Sequence, residues 1–132
     1  MTTLFSKIIA REIPAVFLYE DEQCVVVLDK FPGIMGQSLV IPRKEVGYIF
    51  DIDSKLYRHV FDIAKKIAKA TDAALRVDRT CLVVEGFEIP HVHIKLYPMP
   101  KGNTDLSRVL RETTEASDDE LARVAALIIK KL

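Results

Sequence analysis

Apolar residues fall into two kinds of run along this chain, one with helical spacing and one without gaps. Leu4, Phe5, Ile8 and Ile9 recur three and four residues apart and predict a short helix over 4–9. Pro14 lacks an amide proton and restricts Ile13, so the helix ends before it. Residues 16–20 and the valine-rich run 23–28 read as two strands joined by the acidic turn at 20–22, a hairpin. Glycines and a proline within 29–36 mark a loop, and 37–42 is a third strand stopped by Pro42. Asp53 or Ser54 caps a long amphipathic helix over 55–75, with Leu56, Val60, Ile63, Ile67 and Ala70 on its apolar stripe. Strands follow at 81–84 and 91–97, the latter expected to end at Pro98, and then a polar loop. Ser117 and Glu120 form a capping box. The helix behind it buries Leu121, Val124, Ala125, Ile128 and Leu132. Acidic residues in its first turn and Lys130 and Lys131 at its end suit the helix dipole. With one long helix between strands, the pattern predicts an α+β fold, an antiparallel sheet with helices packed on it, and not a doubly wound parallel sheet.

The length of 132 residues suits one domain spanning 1–132. A hydrophobic content of 49% excludes wholesale disorder. Lys plus Arg and Asp plus Glu both number 19, so the formal charge is zero and a non-specific nucleic-acid binder is disfavoured. No apolar run approaches the roughly 18 residues of a membrane span, and the N-terminus lacks a basic segment followed by an apolar one. The expectation is a cytoplasmic protein with no membrane partner. Cys24 and Cys81 lie in apolar runs and read as buried free thiols. His59, on the polar side of the long helix, reads as a surface residue.

The chain has three histidines, and two of them are His91 and His93. On a strand, His91, His93 and Lys95 share one face, while Val92, Ile94 and Leu96 enter the core. Four readings compete for this face. It is a solvated edge, or a metal site in which Glu85, Glu88 or Asp29 adds a third ligand to the two histidines. It belongs to a nucleotide-binding protein without turnover, or it performs nucleophilic histidine chemistry at phosphorus. The last has a clear physical basis. A neutral imidazole is a nucleophile near pH 7, provided that an acceptor fixes its far nitrogen and polar or cationic groups surround the phosphoryl oxygens.

The segment Ile89-Pro90-His91-Val92-His93-Ile94-Lys95-Leu96-Tyr97-Pro98 resembles the signature of the histidine triad (HIT) family of nucleotide hydrolases and transferases, His-apolar-His-apolar-His. The stretch from Leu4 to Ala15, Tyr19-Glu20-Asp21, Val27-Leu28-Asp29 and Gly36 to Pro42 are similar to the family's pattern in order, and Ser117 onward resembles the last helix of a bacterial subgroup. The resemblance implies a five-stranded antiparallel sheet, a homodimer, no cofactor and no active-site metal. The substrate it implies is a purine nucleotide, in the form of a nucleoside phosphoramidate or dinucleoside polyphosphate. It makes His93 the nucleophile at the α-phosphorus, with His91 in support. Asp29 becomes the partner of the ribose hydroxyls, and Leu4, Phe5, Ile8 and Val27 the lining of the base pocket. Core packing is the competing role for Leu4 and Ile8. Lys95 stands in place of the third histidine. Gln37 stands where many members have a histidine, and is expected to donate to a phosphate oxygen. Glu85 stands where an asparagine is common, and is expected to turn away from phosphate or take another role. The loop Gly86-Phe87-Glu88-Ile89-Pro90 is shorter than the phosphate loop of well-known members.

Overall fold

A computed structural model describes residues 2–132. In chain order the elements are α1 (Leu4–Ile9), β1 (Phe17–Glu20), β2 (Cys24–Leu28), β3 (Ser38–Pro42), α2 (Ser54–Leu75), β4 (Arg79–Val83), β5 (Ile94–Met99), α3 (Leu106–Arg111) and α4 (Asp118–Ile129), with a short 3-10 turn at Ile49–Asp51. The strands form one antiparallel sheet in the order β1-β2-β3-β5-β4. The α+β architecture is the one the pattern predicts. No helix among the described residues is long and apolar enough to cross a membrane.

The ungapped valine run has a simple cause. β2 and β3 are buried at every position, so both of their faces must be apolar. Cys24, Val26, Leu28 and Val40 pack with α2 and α4 on one face, together with Val92, Ile94 and Leu96. Val25, Val27, Leu39 and Ile41 pack with Phe5 and Ile8 of α1 on the other. α1 is too short to cover that face, and the remainder opens into a cleft. Asp53 caps α2 through the amide of Leu56, and Ser117 caps α4 through that of Glu120.

Five expectations need correction. β5 begins at Ile94, not at 91, because the amides of His91 and Val92 bond to Ile89 and Val46 outside the sheet. It also runs through Pro98. β3 pairs with β5 only from Ile94 to Leu96, so Pro98 faces no ladder on that side and its missing N–H costs nothing there. The polar stretch after β5 contains α3, capped by Asp105 through the amide of Arg108. Leu132 is 40% exposed, beyond the end of α4, whereas Leu121, Val124, Ala125 and Ile128 are buried. Both cysteines are free, but only Cys24 is buried and Cys81 is half-buried.

α3 and the segment after it close over the 29–37 loop, where Thr114 N–H donates to Pro32 O and Ala116 N–H to Lys30 O. Gly33 allows that approach, because a Cβ there would sit 1.8 Å from the carbonyl oxygen of Val109. Gly33→Ala should therefore destabilise the protein by about 2–3 kcal/mol. Urea unfolding monitored by circular dichroism checks this, and an unchanged midpoint would refute the close packing of loop and helix.

Candidate active site

The cleft of about 920 Å³ lies between α1, the end of β2, the 85–89 segment and the start of α4. Leu4, Phe5, Ile8, Val27, Asp29, His93 and Lys95 all line it. Leu4 is 45% exposed and belongs to the cleft wall, while Phe5 and Ile8 serve the core and the wall together. The cleft joins an apolar end to a polar one at His93, Lys95 and Glu85.

His91 is fully buried, so its ring needs partners at both nitrogens. Nε2–H donates to the carbonyl of Pro42 at 2.7 Å, and Nδ1 lies 2.8 Å from the Thr3 hydroxyl. Thr3 is the N-cap of α1 and forms a capping box with Ser6, whose hydroxyl bonds to Glu45. The Thr3 amide also donates to Glu45 at 3.0 Å. A polar relay running from exposed Glu45 to buried His91 therefore ties α1 and the end of β3 to His91. Sequence reasoning missed Thr3, Ser6 and Glu45. The Thr3-Leu4-Phe5-Ser6 cap was visible in the sequence, but its contact with a residue 88 positions away was not.

His93 donates Nδ1–H to the backbone carbonyl of His91 at 2.8 Å. That bond sets the tautomer and leaves the Nε2 lone pair for the cleft. The ring packs on Phe5 with centroids 4.6 Å apart. Burial pushes the His93 pKa below the ordinary imidazole value. The bond to the His91 carbonyl opposes this shift, and the Lys95 charge reinforces it. The neutral, nucleophilic form therefore persists to lower pH than in a free imidazole.

Lys95 sits opposite Leu39 across the β3–β5 ladder, on the cleft face, and its ammonium pairs with Glu85 at 2.6 Å. Glu85 thus stays in the cleft wall with its charge offset by Lys95. Gln37, expected beside phosphate, is not among the residues lining the cleft. Its side chain is buried, with Nε2 donating to Asp29 Oδ2 at 2.7 Å and Oε1 accepting from Gly33 N–H at 2.7 Å. Both ends of the amide thereby bond within the loop. Asp29 Oδ1 accepts from Phe31 N–H at 2.8 Å. Each carboxylate oxygen keeps a further lone pair that can meet a hydroxyl in the cleft. A metal held by the two histidines would have to displace Pro42 O or the Thr3 hydroxyl from His91.

The HIT domain family model matches residues 10–101. The chain belongs to the HIT family. This HIT protein is 30% identical over 108 residues to an uncharacterized HIT-like protein of Mycobacterium tuberculosis, covering 78% of this chain and 75% of the relative. It superposes on the crystal structure of a Hit-like protein of Bartonella henselae with a TM-score of 0.88 and 26% identity, covering 99% of this chain and 96% of the other. A hypothetical histidine triad nucleotide-binding protein of Sulfolobus tokodaii matches with a TM-score of 0.86 and 26% identity, over 96% of this chain and 89% of that one. These solved relatives share the five-stranded α+β fold of this HIT protein.

The burial of His93 makes a prediction that needs no substrate. An NMR titration of its ring protons should show a midpoint below the ordinary imidazole value of about 6.5. A midpoint at or above that value would contradict the desolvated geometry.

Proposed function

We propose that this HIT protein is a nucleotidyl hydrolase or transferase that acts at the α-phosphorus of nucleoside phosphoramidates or dinucleoside polyphosphates, with a purine nucleotide as substrate. The observation that carries this reading is the hydrogen bond from His93 Nδ1–H to the His91 carbonyl, which points the Nε2 lone pair into the cleft. Nε2 attacks the α-phosphorus, and the P–N or P–O bond to the leaving group breaks. The leaving group departs with its electron pair and takes up a proton. Water then cleaves the phosphorus–imidazole bond, releasing a nucleoside monophosphate and restoring neutral His93.

In this reading Asp29 accepts the ribose hydroxyls, and the apolar end around Phe5, Ile8 and Val27 takes the base. Lys95 occupies the third triad position. A lysine there supplies a point charge to a phosphoryl oxygen, not the donor and acceptor pair of a neutral imidazole. Glu85 competes for that charge, and Gln37 is held by Asp29 and Gly33. Fewer groups are thus free to neutralise phosphate, which supports slow turnover and makes a nucleotide-binding role without turnover the second reading.

The free outer edge of β4 supports the proposal that two chains pair into a homodimer. β4 ends the sheet, and Leu82 on it is 43% exposed. An uncovered apolar edge strand is a template for pairing with a second strand.

Prolonged incubation with adenosine phosphoramidate and with a diadenosine polyphosphate should yield AMP with the wild type and none with His93→Ala. Mass spectrometry of rapidly quenched enzyme should detect a nucleotidyl adduct only where His93 is present. Equal AMP formation by both proteins would refute the mechanism. Nucleotide binding without AMP would favour the second reading. Separately, sedimentation at micromolar concentration should give a species of twice the chain mass. A concentration-independent monomer would refute the pairing.

A further inference from the structure

On the α2 face of the sheet, three side chains of different chemistry converge from three elements. Asp21 lies in the β1–β2 turn, Cys24 opens β2, and His59 stands on the second turn of α2. Asp21 Oδ1 is committed to the turn, accepting from the amides of Gln23 and Cys24, both at 2.8 Å. Oδ2 is crowded. It lies 2.7 Å from His59 Nε2, 2.8 Å from the Tyr19 hydroxyl and 3.8 Å from Cys24 Sγ. The ligand atoms of Asp21, Cys24 and His59 all lie within 4.8 Å of one another. Cys24 is fully buried, whereas His59 and Asp21 are 29% and 22% exposed at the side chain, so the cluster is closed on the core side and reachable from solvent. His59, expected at the surface, is half-buried and bonded here.

We propose that Asp21, Cys24 and His59 form a three-ligand site for a zinc-type divalent cation, with water in the fourth position. Tetrahedral zinc with one sulfur, one nitrogen and one oxygen ligand sets those atoms about 3.3–3.6 Å apart. The two contacts of Asp21 Oδ2, 2.7 Å to His59 Nε2 and 3.8 Å to Cys24 Sγ, bracket that range, and all three ligand atoms lie within 4.8 Å of one another, so χ rotations of these side chains bring them to it. The donor set is the mixed sulfur, nitrogen and oxygen type that suits zinc and cobalt rather than magnesium or calcium. On binding, the thiol proton leaves to solvent and the thiolate bonds the metal. The His59 proton moves from Nε2 to Nδ1, and Asp21 Oδ2 exchanges its hydrogen bond from His59 for a metal bond. The carboxylate and the thiolate together balance the two positive charges.

The site is held in place by its surroundings. The amides of Gln23 and Cys24 and the Tyr19 hydroxyl fix the Asp21 carboxylate, and Arg43 Nε–H donates to the Asp21 carbonyl, so the turn that carries two of the ligands is braced on both sides. The bound metal clips the β1–β2 turn to α2, on a face that does not depend on His93.

Cobalt titration of the wild-type chain tests this. One equivalent of Co(II) should produce a thiolate-to-cobalt charge-transfer band, and Zn(II) should displace it. Cys24→Val should abolish the band, Cys81→Ser should keep it, and His59→Gln should weaken affinity at least tenfold. Zn(II) should raise the melting temperature of the wild type and not that of His59→Gln. Absence of the band in the wild type, its survival in Cys24→Val or its loss in Cys81→Ser would overturn the proposal. Should Cys24→Val fail to fold, His59→Gln decides, since unchanged cobalt affinity in that half-exposed variant overturns the site.

Discussion

The hydrogen bond from His93 to the carbonyl of His91 is the constraint on which the cleft depends. A backbone carbonyl is a good anchor only if the backbone itself is held, and the side chain of His91 does the holding. Its ring is buried between the cap of α1 and the end of β3, with one nitrogen at Thr3 and the other at Pro42. A buried polar ring with both nitrogens engaged has no low-energy alternative orientation, because leaving either unpaired costs about 1–3 kcal/mol. The tautomer of His93 is thus set by contacts that never enter the cleft.

The sheet explains why the cleft exists where it does. β2 and β3 must be covered on both faces, and α2 with α4 covers one of them across its length. α1 covers only part of the other. Asp29 leaves the end of β2 at the open margin, where Gln37 and the amide of Phe31 orient it. α3 in turn braces that loop through Gly33, so an exposed short helix contributes to the position of a carboxylate it never touches.

The charged residues of the cleft lining are acidic in sum, with Asp29, Glu85, Glu88 and Asp118 against Lys30 and Lys95. Lys95 and Glu85 pair beside His93, whose pKa burial lowers. An anionic ligand entering this cleft must compete with Glu85 for Lys95. The ion pair therefore opposes non-selective binding of anions, which a lone lysine would encourage.

The sequence by itself determined the strand run, the long helix and its cap, the last capping box, and the core positions of Val92, Ile94 and Leu96. Each of these is a local matter of spacing and cap chemistry, which residues a few positions apart decide. The α+β class follows from their order. The register of β5 around Pro98, the helix over Leu106–Arg111, the commitment of Gln37 to Asp29, the Thr3–His91 contact and the meeting of Asp21, Cys24 and His59 came only from the tertiary structure. Those features join residues far apart in the chain, or depend on whether a neighbouring strand is present to demand an amide. A buried polar group takes the partner that the fold brings to it, and spacing along the chain carries no record of which partner that is.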